Sequence, residues 1–214
     1  MHVFWEGSPT NAHAAETTLR IPQYPAATAL YFFALQVSFV GEGGRRYGAG
    51  HLGLQWHPAH PGNTAVNWGG YEASGRELQG SASPLPSATS NPNTRDFAWT
   101  HGRPYRLRIE RVSDGWQGTI VDVESDHHTI VRTLFANGTR ISDPMVWTES
   151  FAPCDAPSAS VEWSDFRAEA PARSVPVTRG RAHYQSFADG GCTNTSTHQR
   201  ADGTWVQRTN TVRV

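Results

Sequence analysis

The sequence predicts an all-β protein, a two-sheet antiparallel β-sandwich of the jelly-roll, concanavalin-A-like type. Strand-like segments of alternating apolar and polar residues recur about every 8 to 15 residues, and Gly and Pro clusters join them. No window of about eleven or more residues has apolar positions at helical spacing with a cap at each end. A chain of 214 residues is also long enough to bury one sizeable core.

The first strong element is the apolar run at residues 26–40. Thr28, Gln36 and Ser38 interrupt it, so it is too short and too polar for a transmembrane helix. We predict a buried strand with its lead-in. The glycine-rich stretch 41–46 follows, and because no phosphate-binding helix pattern comes after it, we interpret it as a surface hairpin.

The clearest strand covers residues 105–112, where Tyr105, Leu107 and Ile109 alternate with polar side chains. The Ser-Asp-Gly sequence at 113–115 predicts a turn that leads into a returning strand at 116–123. Further strands are predicted at four places along the chain, residues 129–134, 161–164, 181–187 and 204–208.

Domain organisation follows from the remaining segments. Residues 80–93, rich in Ser, Pro, Asn and Thr, predict a long loop, and the crowded Ala, Pro and Arg of 168–176 suggest a linker. The strand-like pieces beyond it are too few for an independent core. We therefore predict a jelly-roll sandwich at 1–170 and a C-terminal hairpin extension at 171–214 packed on the same domain.

Composition excludes several function classes. The formal net charge is -1, which gives no reason to expect nucleic acid as a partner. All 18 basic residues are Arg, so lysine chemistry is absent. No Gly-x-Ser-x-Gly nucleophile motif occurs. No membrane span is predicted.

Localisation rests on the two cysteines and the N-terminal sequence. Cys154 and Cys192 lie in loop contexts, where they would pair in an oxidising compartment and would otherwise be two unrelated thiols. No signal peptide is visible at the N-terminus. An extracellular or periplasmic location is nevertheless the expectation that fits a lectin-like sandwich.

The main functional hypothesis is carbohydrate binding. A sugar ring needs a flat apolar surface and hydrogen-bonding groups around it, and aromatic and polar residues alternate in two segments, 53–57 and 66–72. The competing interpretation is that the aromatic residues fill the core. The candidate ligand-binding residues are Gln55, Trp56, His57, Asn67, Trp68, Tyr71, Glu72, Trp99 and Glu149. The expected partner is a carbohydrate or another small polar ligand.

The same segments carry a resemblance to a known family. The aromatic strand at 31–39, Gly53-Leu54-Gln55, Asn67-Trp68, Trp99 and the sequence Glu149-Ser150-Phe151 resemble a family of uncharacterised bacterial proteins with a domain of unknown function. That family is similar to concanavalin-A-like lectin and glucanase domains. The resemblance covers about residues 20–170 and implies a lectin-like, often secreted sandwich. Gly69 stands where the family has an acidic residue.

A rival hypothesis is a hydrolase or lyase that acts on a polysaccharide. Paired carboxylates about 5 to 9 Å apart hydrolyse glycosides, and Glu72 with Glu149 or Asp122 with Glu124 are the candidate pairs. The alternative for the acidic stretch 122–126 is a solvated strand end. A third possibility is a structural or interaction module without a cleft.

Metal binding has weaker support, and we predict no metal ligands. The His57-Pro-Ala-His60-Pro sequence has a suggestive spacing, yet its prolines exclude a helix and no His-Glu-x-x-His motif is present. The expected cofactor is none, with calcium as a possibility at the oxygen-rich stretches 91–96 and 189–194. Turn-forming Asp, Asn and Gly explain both stretches without an ion.

Overall fold

The computed structural model describes residues 1–213 and consists of two antiparallel sheets packed face to face. In chain order the seven-stranded sheet contains β1 (His2–Glu6), β3 (Tyr31–Val40), β4 (Arg46–Trp56), β5 (Thr64–Glu72), β6 (Thr94–Asp96), β10 (Arg140–Ser150) and β13 (Arg179–His183). Their order across the sheet is β13-β1-β10-β3-β4-β5-β6. The fold prediction of a two-sheet antiparallel sandwich is confirmed.

The second sheet has eight strands. They are β2 (Ala14–Arg20), β7 (Pro104–Val112), β8 (Gly115–Asp122), β9 (His127–Leu134), β11 (Ser160–Ala170), β12 (Arg173–Pro176), β14 (Ser196–Gln199) and β15 (Trp205–Arg208). The order is β14-β15-β11-β2-β7-β8-β9, and β12 pairs with β11 beside this path. Three short 3₁₀ turns, Glu42–Gly44, Pro61–Asn63 and Phe187–Asp189, complete the elements of the described chain.

The core lies between the sheets and is filled by the inward-facing half of each strand. Trp68, Trp116 and Trp163 are fully buried there. Two glycines make room for Trp68, because a Cβ at Gly50 or at Gly118 would lie 2.7 Å from an atom of its indole ring. The small residues on two different strands are therefore part of what allows this large side chain inside.

Residues beyond 170 are built into both sheets. Strand β13 pairs with β1 at the edge of the seven-stranded sheet, and β15 pairs with β11 in the other. A disulfide joins Cys154 to Cys192, so the two cysteines do pair. The linker predicted at 168–176 is wrong, because residues 167–170 of β11 pair in register with 173–176 of β12.

Candidate ligand-binding groove

A groove of about 750 Å³ runs over the outer face of the seven-stranded sheet. That volume falls within the range of small-molecule and cofactor sites. Its floor comes from β1, β3, β4, β5 and β10, and its walls come from the loops after β10 and β13. The Cys154–Cys192 disulfide lies in these walls and ties the two loops together.

Strand register places three side chains in one row across the centre of the floor. Gln36 of β3 lies opposite Met145 of β10 on one side and opposite His51 of β4 on the other. Directly opposed residues of antiparallel strands have Cβ atoms about 5 Å apart. Gln36 and His51 are therefore close neighbours on the outer face of the sheet.

Trp147 fixes the orientation of the Gln36 amide. The indole Nε1–H of Trp147 donates a hydrogen bond of 3.1 Å to Gln36 Oε1. Because the oxygen is occupied, the amide NH₂ of Gln36 faces away from the indole. Within residues 1–213 no protein group accepts a hydrogen bond from that NH₂, so both of its donors are open to a ligand.

His51 is the second polar group on the floor, and aromatic rings surround it. The ring centroids of Phe32, Trp147 and Tyr71 lie 5.6, 5.8 and 6.4 Å from its own. Burial among them lowers the pKa of His51 to about 4, because the imidazolium loses hydration there. The imidazole is therefore neutral at physiological pH. Across the part of the chain that the structure describes, its nitrogens have no protein hydrogen-bond partner.

Glu149 lines the groove at some distance from this central row. It pairs with Phe32 on β3, four residues before Gln36, which corresponds to about 13 Å along the strand. Partial burial in the groove wall raises the pKa of its carboxyl group, and the nearby Met1 ammonium opposes that shift. Phe151, which is 62% exposed, continues the wall toward the disulfide.

Comparisons with known proteins bear on the fold. No protein-family model matches the chain, and none of the curated proteins matches it. Among solved structures, Scytalido-glutamic peptidase with a peptide-based transition-state analogue is similar, with a TM-score of 0.56 and 12% identity. SCP-B, a member of the Eqolisin family of peptidases bound to the tripeptide Ala-Ile-His, gives a TM-score of 0.53 and 10% identity.

Both likenesses cover 98% of this chain and 96% of the other chain. A second Scytalido-glutamic peptidase structure, with a transition-state analogue inhibitor, matches at a TM-score of 0.54, 10% identity and the same coverage. At this identity the likeness shows a shared β-sandwich fold and nothing finer. The similar structures are peptidases, so the predicted sandwich is found while a lectin or glucanase relationship is not.

Two of the nine candidate residues lie in the groove, Tyr71 and Glu149. The Tyr71 side chain is 56% exposed and presents its ring beside His51. Glu72 follows it but binds Arg76 at 2.6 Å in the turn after β5, and this bond lowers the pKa of the Glu72 carboxyl. His57 lies in the loop after β4, and Trp56 donates to Ala27 O at 3.2 Å.

The other four candidates are buried, which contradicts the ligand-stacking role expected of Trp68 and Trp99. Both rings are in the core, and their indole N–H groups donate to the carbonyl oxygens of Trp116 and Gln55 at 3.2 and 3.1 Å. A ring packed on both faces has no surface left for a sugar. Gln55 and Asn67 are buried too, and Asn67 donates to Thr94 Oγ1 at 2.8 Å.

Neither predicted carboxylate pair forms a catalytic cleft. Glu72 and Glu149 lie on strands separated by β3 and β4, which places them about 14 Å or more apart. Asp122 and Glu124 both bind Arg103 at 3.1 Å, so the two carboxylates share one cation at the end of β8. Neither predicted carboxylate pair therefore lies in the groove, which is lined by Glu149 alone of the four residues.

In the candidate calcium stretch 91–96, the side-chain oxygens of Asn91 and Asp96 accept hydrogen bonds from within the protein. Asp96 Oδ1 accepts hydrogen bonds from His60 Nδ1 and from the backbone N–H of Ala88. Asn91 Oδ1 accepts from the backbone N–H of Asn93 at 2.9 Å, as in an ordinary turn. Within residues 1–213 no three His, Cys, Asp or Glu side chains form a ligand set. Over the same range no helix is long and apolar enough to cross a membrane.

Sequence reasoning missed the residues at the centre of the floor. Gln36 was visible only as a polar interruption of an apolar run, and His51 only as one of several histidines. The signal that would have found Gln36 is its place in the alternation of inward and outward residues along β3. It shares the outward side of β3 with Phe32, whereas Phe33 and Leu35 face the core.

Proposed function

We propose that the protein is a hydrolase that binds an extended peptide in the groove and cleaves one of its amide bonds. The observation that carries the proposal is the Trp147–Gln36 hydrogen bond, which leaves an oriented amide NH₂ beside a neutral histidine. An amide substrate offers a carbonyl oxygen to such a donor. The surrounding aromatic rings provide apolar contact for substrate side chains.

The chemistry follows from these two groups. His51 removes a proton from a water molecule as the water oxygen bonds to the substrate carbonyl carbon. The Gln36 NH₂ donates to the carbonyl oxygen as negative charge develops on it. When the carbon–nitrogen bond breaks, the imidazolium of His51 returns the proton to the leaving amine. The proton that His51 takes from water is thereby passed to the leaving amine, and the step uses no cofactor.

Two further observations support a peptide substrate. The similar solved structures hold peptide ligands, and their likeness covers nearly the whole of both chains. The groove is long enough for several residues, since it extends from Tyr71 on β5 to Glu149 and the disulfide loops. An extended peptide lying across the groove would place one of its central residues at Gln36 and further residues on both sides of it.

The test is cleavage of a mixed peptide library, read by mass spectrometry between pH 3 and 8. The wild type is expected to cut, and kcat/KM is expected to rise through pH 4 as His51 becomes neutral and then to level off. Gln36→Ala is expected to lower kcat/KM by roughly 10²- to 10³-fold, as for loss of one oxyanion donor. In His51→Ala the rise of kcat/KM near pH 4 is expected to disappear.

Gln117→Ala is the matched control, because Gln117 lies on the eight-stranded sheet and binds Thr119. It is expected to leave cleavage unchanged. Peptide binding without cleavage at any pH would overturn the hydrolytic step and leave a peptide-binding groove. Cleavage that survives Gln36→Ala would overturn the assignment of the site.

A carbohydrate ligand is the second candidate, and the exposed ring of Tyr71 favours it. An open aromatic face next to the Gln36 donors has the two features that sugar recognition uses. An oligosaccharide panel run beside the peptide library distinguishes the two. Binding of a sugar that Tyr71→Ala abolishes would favour the lectin-like function over the hydrolase.

An extracellular or periplasmic location accompanies either function. The Cys154–Cys192 disulfide supports it, because such bonds persist in oxidising compartments. Free-thiol counting on protein purified from the culture medium and from cell lysate tests this part. No accessible thiol in the secreted fraction is the expected result.

A further inference from the structure

A second cavity, of about 410 Å³, lies where β3 ends and β4 begins. Arg46, at the start of β4, and Arg140, at the start of β10, both line it, and Asp143 is the acidic residue of its lining. Two guanidinium groups and one carboxylate leave one positive charge over. The cavity therefore has the electrostatics of an anion site.

Arg140 supplies the charge that is not compensated. Its two terminal nitrogens donate to the backbone carbonyl oxygens of Thr10 and Gly41, at 3.1 and 3.4 Å. Within residues 1–213 no carboxylate forms an ion pair with it. Carbonyl oxygens hold a guanidinium group in place without neutralising it, so Arg140 keeps its positive charge beside the cavity.

Arg46 has a carboxylate partner, but the contact is loose. Its Nη2 lies 3.5 Å from Asp143 Oδ2, and the two side chains are 57% and 60% exposed. An exposed pair of this kind contributes little to stability, because water screens both charges. Asp143 Oδ2 also accepts from Ser142 Oγ at 2.9 Å. A second carboxylate that enters the cavity can therefore share the Arg46 guanidinium at small cost.

The position of Arg46 connects this cavity with the centre of the groove. Arg46 Nη2 also donates to Ser38 Oγ, and Ser38 lies on the same outward side of β3 as Gln36. Two residues of a strand span about 7 Å. A peptide whose carbonyl oxygen accepts from Gln36 would therefore bring a group one or two residues farther along to the Arg46 guanidinium.

We infer that Arg46 and Arg140 bind a carboxylate of the peptide, an inference that rests on the proposed function of the groove. A planar guanidinium group donates two parallel N–H groups to a carboxylate, which makes arginine a common partner of this anion. The carboxylate belongs to the C-terminus of the peptide or to an acidic side chain. A C-terminal carboxylate would make the protein release one or two residues from the end of a peptide.

The test compares the binding of three fluorescent hexapeptides of alanine and phenylalanine. The first has a free C-terminal carboxylate, the second is its C-terminal amide, and the third is the amide with glutamate at its fifth position. Fluorescence anisotropy is measured in a His51→Ala background, which lacks the proposed base, so that the peptides bind without being cut. The free acid is expected to bind roughly tenfold more tightly than the plain amide.

The glutamate peptide identifies the source of the carboxylate. Affinity equal to that of the free acid would show that an acidic side chain is bound. Affinity equal to that of the plain amide would show that the C-terminus is required. Either result agrees with a carboxylate site, provided that the free acid binds more tightly than the plain amide.

Two arginine variants test the residues themselves. Arg46→Gln and Arg140→Gln are each expected to weaken binding of the free acid by roughly three- to tenfold and to leave binding of the plain amide unchanged. Arg208→Gln is the matched control, because it removes an exposed positive charge from β15 of the other sheet. Thermal unfolding shows whether each variant is folded. Arg46→Gln alone decides the matter if Arg140→Gln does not fold, since the Arg46 side chain is exposed.

Three results would overturn the inference: equal affinity of the free acid and the plain amide, binding of neither, or a preference for the acid that survives in the folded arginine variants. Cleavage by the wild-type protein is a separate measurement. A preference for the acid without any cleavage would keep the carboxylate site and refute the hydrolytic step. Cleavage that does not depend on Arg46 or Arg140 would keep the hydrolytic step and refute the carboxylate site.

Discussion

The outer faces of the two sheets differ in how their polar residues are satisfied. On the eight-stranded sheet Arg108 binds the carboxylates of Glu16 and Glu169 at 2.9 and 2.8 Å and that of Glu110 at 3.1 Å. On the seven-stranded sheet the Gln36 NH₂ and the His51 ring nitrogens have no protein hydrogen-bond partner within residues 1–213. Polar groups that complete one another stabilise a surface, whereas oriented groups without partners are available to a ligand.

The ion network on the eight-stranded sheet gives the largest expected effect. Arg108 is 22% exposed and its pKa is raised, first by the hydrogen bond to Glu169. Arg108→Ala would leave three carboxylates without their common cation, so we expect the free energy of unfolding to fall by about 3 kcal/mol. Urea denaturation measures the change. Ligand binding in the groove is expected to be unaffected.

Arg181→Ala on the opposite sheet serves as the control for Arg108→Ala. Its side chain is 62% exposed and lies 5.2 Å from the Phe4 ring, so the expected change is within about 0.5 kcal/mol. Equal losses in the two variants would mean that the two faces do not differ in the way described.

The protonation of His51 is expected to make the free energy of unfolding depend on pH in acid. The unfolded chain protonates this histidine near pH 6.5, while the folded protein does so only near pH 4. The unfolded state therefore binds the extra proton between these values, and stability falls as the pH is lowered from 6.5 to 4. In His51→Phe that fall is expected to be smaller by roughly 1–3 kcal/mol. Urea denaturation at pH 7 and at pH 4.5 compares the two proteins.

The pKa of His2 is also lowered to about 4 by burial, so His51→Phe is expected to keep part of the stability loss in acid. The informative quantity is the difference between wild type and His51→Phe. An identical loss in both would show that His51 is protonated equally in the folded and unfolded states.

Trp147→Phe tests whether the indole orients Gln36. The variant keeps an aromatic ring but lacks the N–H donor, so the Gln36 amide is free to rotate. We expect kcat/KM to fall roughly tenfold, equivalent to about 1.4 kcal/mol, with KM little changed. Thermal unfolding checks that the fold is intact. A rate equal to that of the wild type would show that Gln36 is positioned by something else.

The smallest expected effect concerns the groove wall. Phe151 is 62% exposed within the groove, and Phe187 is 76% exposed on a 3₁₀ turn outside it. Phe151→Ala is expected to weaken peptide binding by about 3- to 10-fold, since it removes apolar contact area. Phe187→Ala is expected to have no effect. Fluorescence anisotropy with a labelled library peptide measures both, and equal behaviour would move the binding site elsewhere.

Much of the fold could be predicted because it depends on local patterns. Strict alternation at 105–112 and the turn at 113–115 correspond to β7, β8 and the hairpin between them. The segment at 168–176 misled because Pro and Ala are typical of linkers. Pro176 is nonetheless compatible with β12, a strand paired only with β11, where a missing N–H need not break a ladder.

The site could not be predicted in the same way because it depends on register between distant strands. Nothing local to Gln36 indicates that His51 and Met145 flank it. The prediction that tryptophans bind the ligand was wrong for a physical reason, since an indole N–H can form its hydrogen bond inside the core. Trp68 finds the Trp116 carbonyl there, so its polar atom is no sign of exposure.

The path of the C-terminal segment has a consequence for synthesis of the protein. Strand β13 closes one sheet against β1, while β15 extends the other beside β11. A chain still emerging from the ribosome, with residue 178 as its last, would have both strand edges open and no Cys192 to complete the wall around the groove. The wall of the groove is therefore completed only after residues 179–208 have been synthesised, and a product truncated before them lacks it.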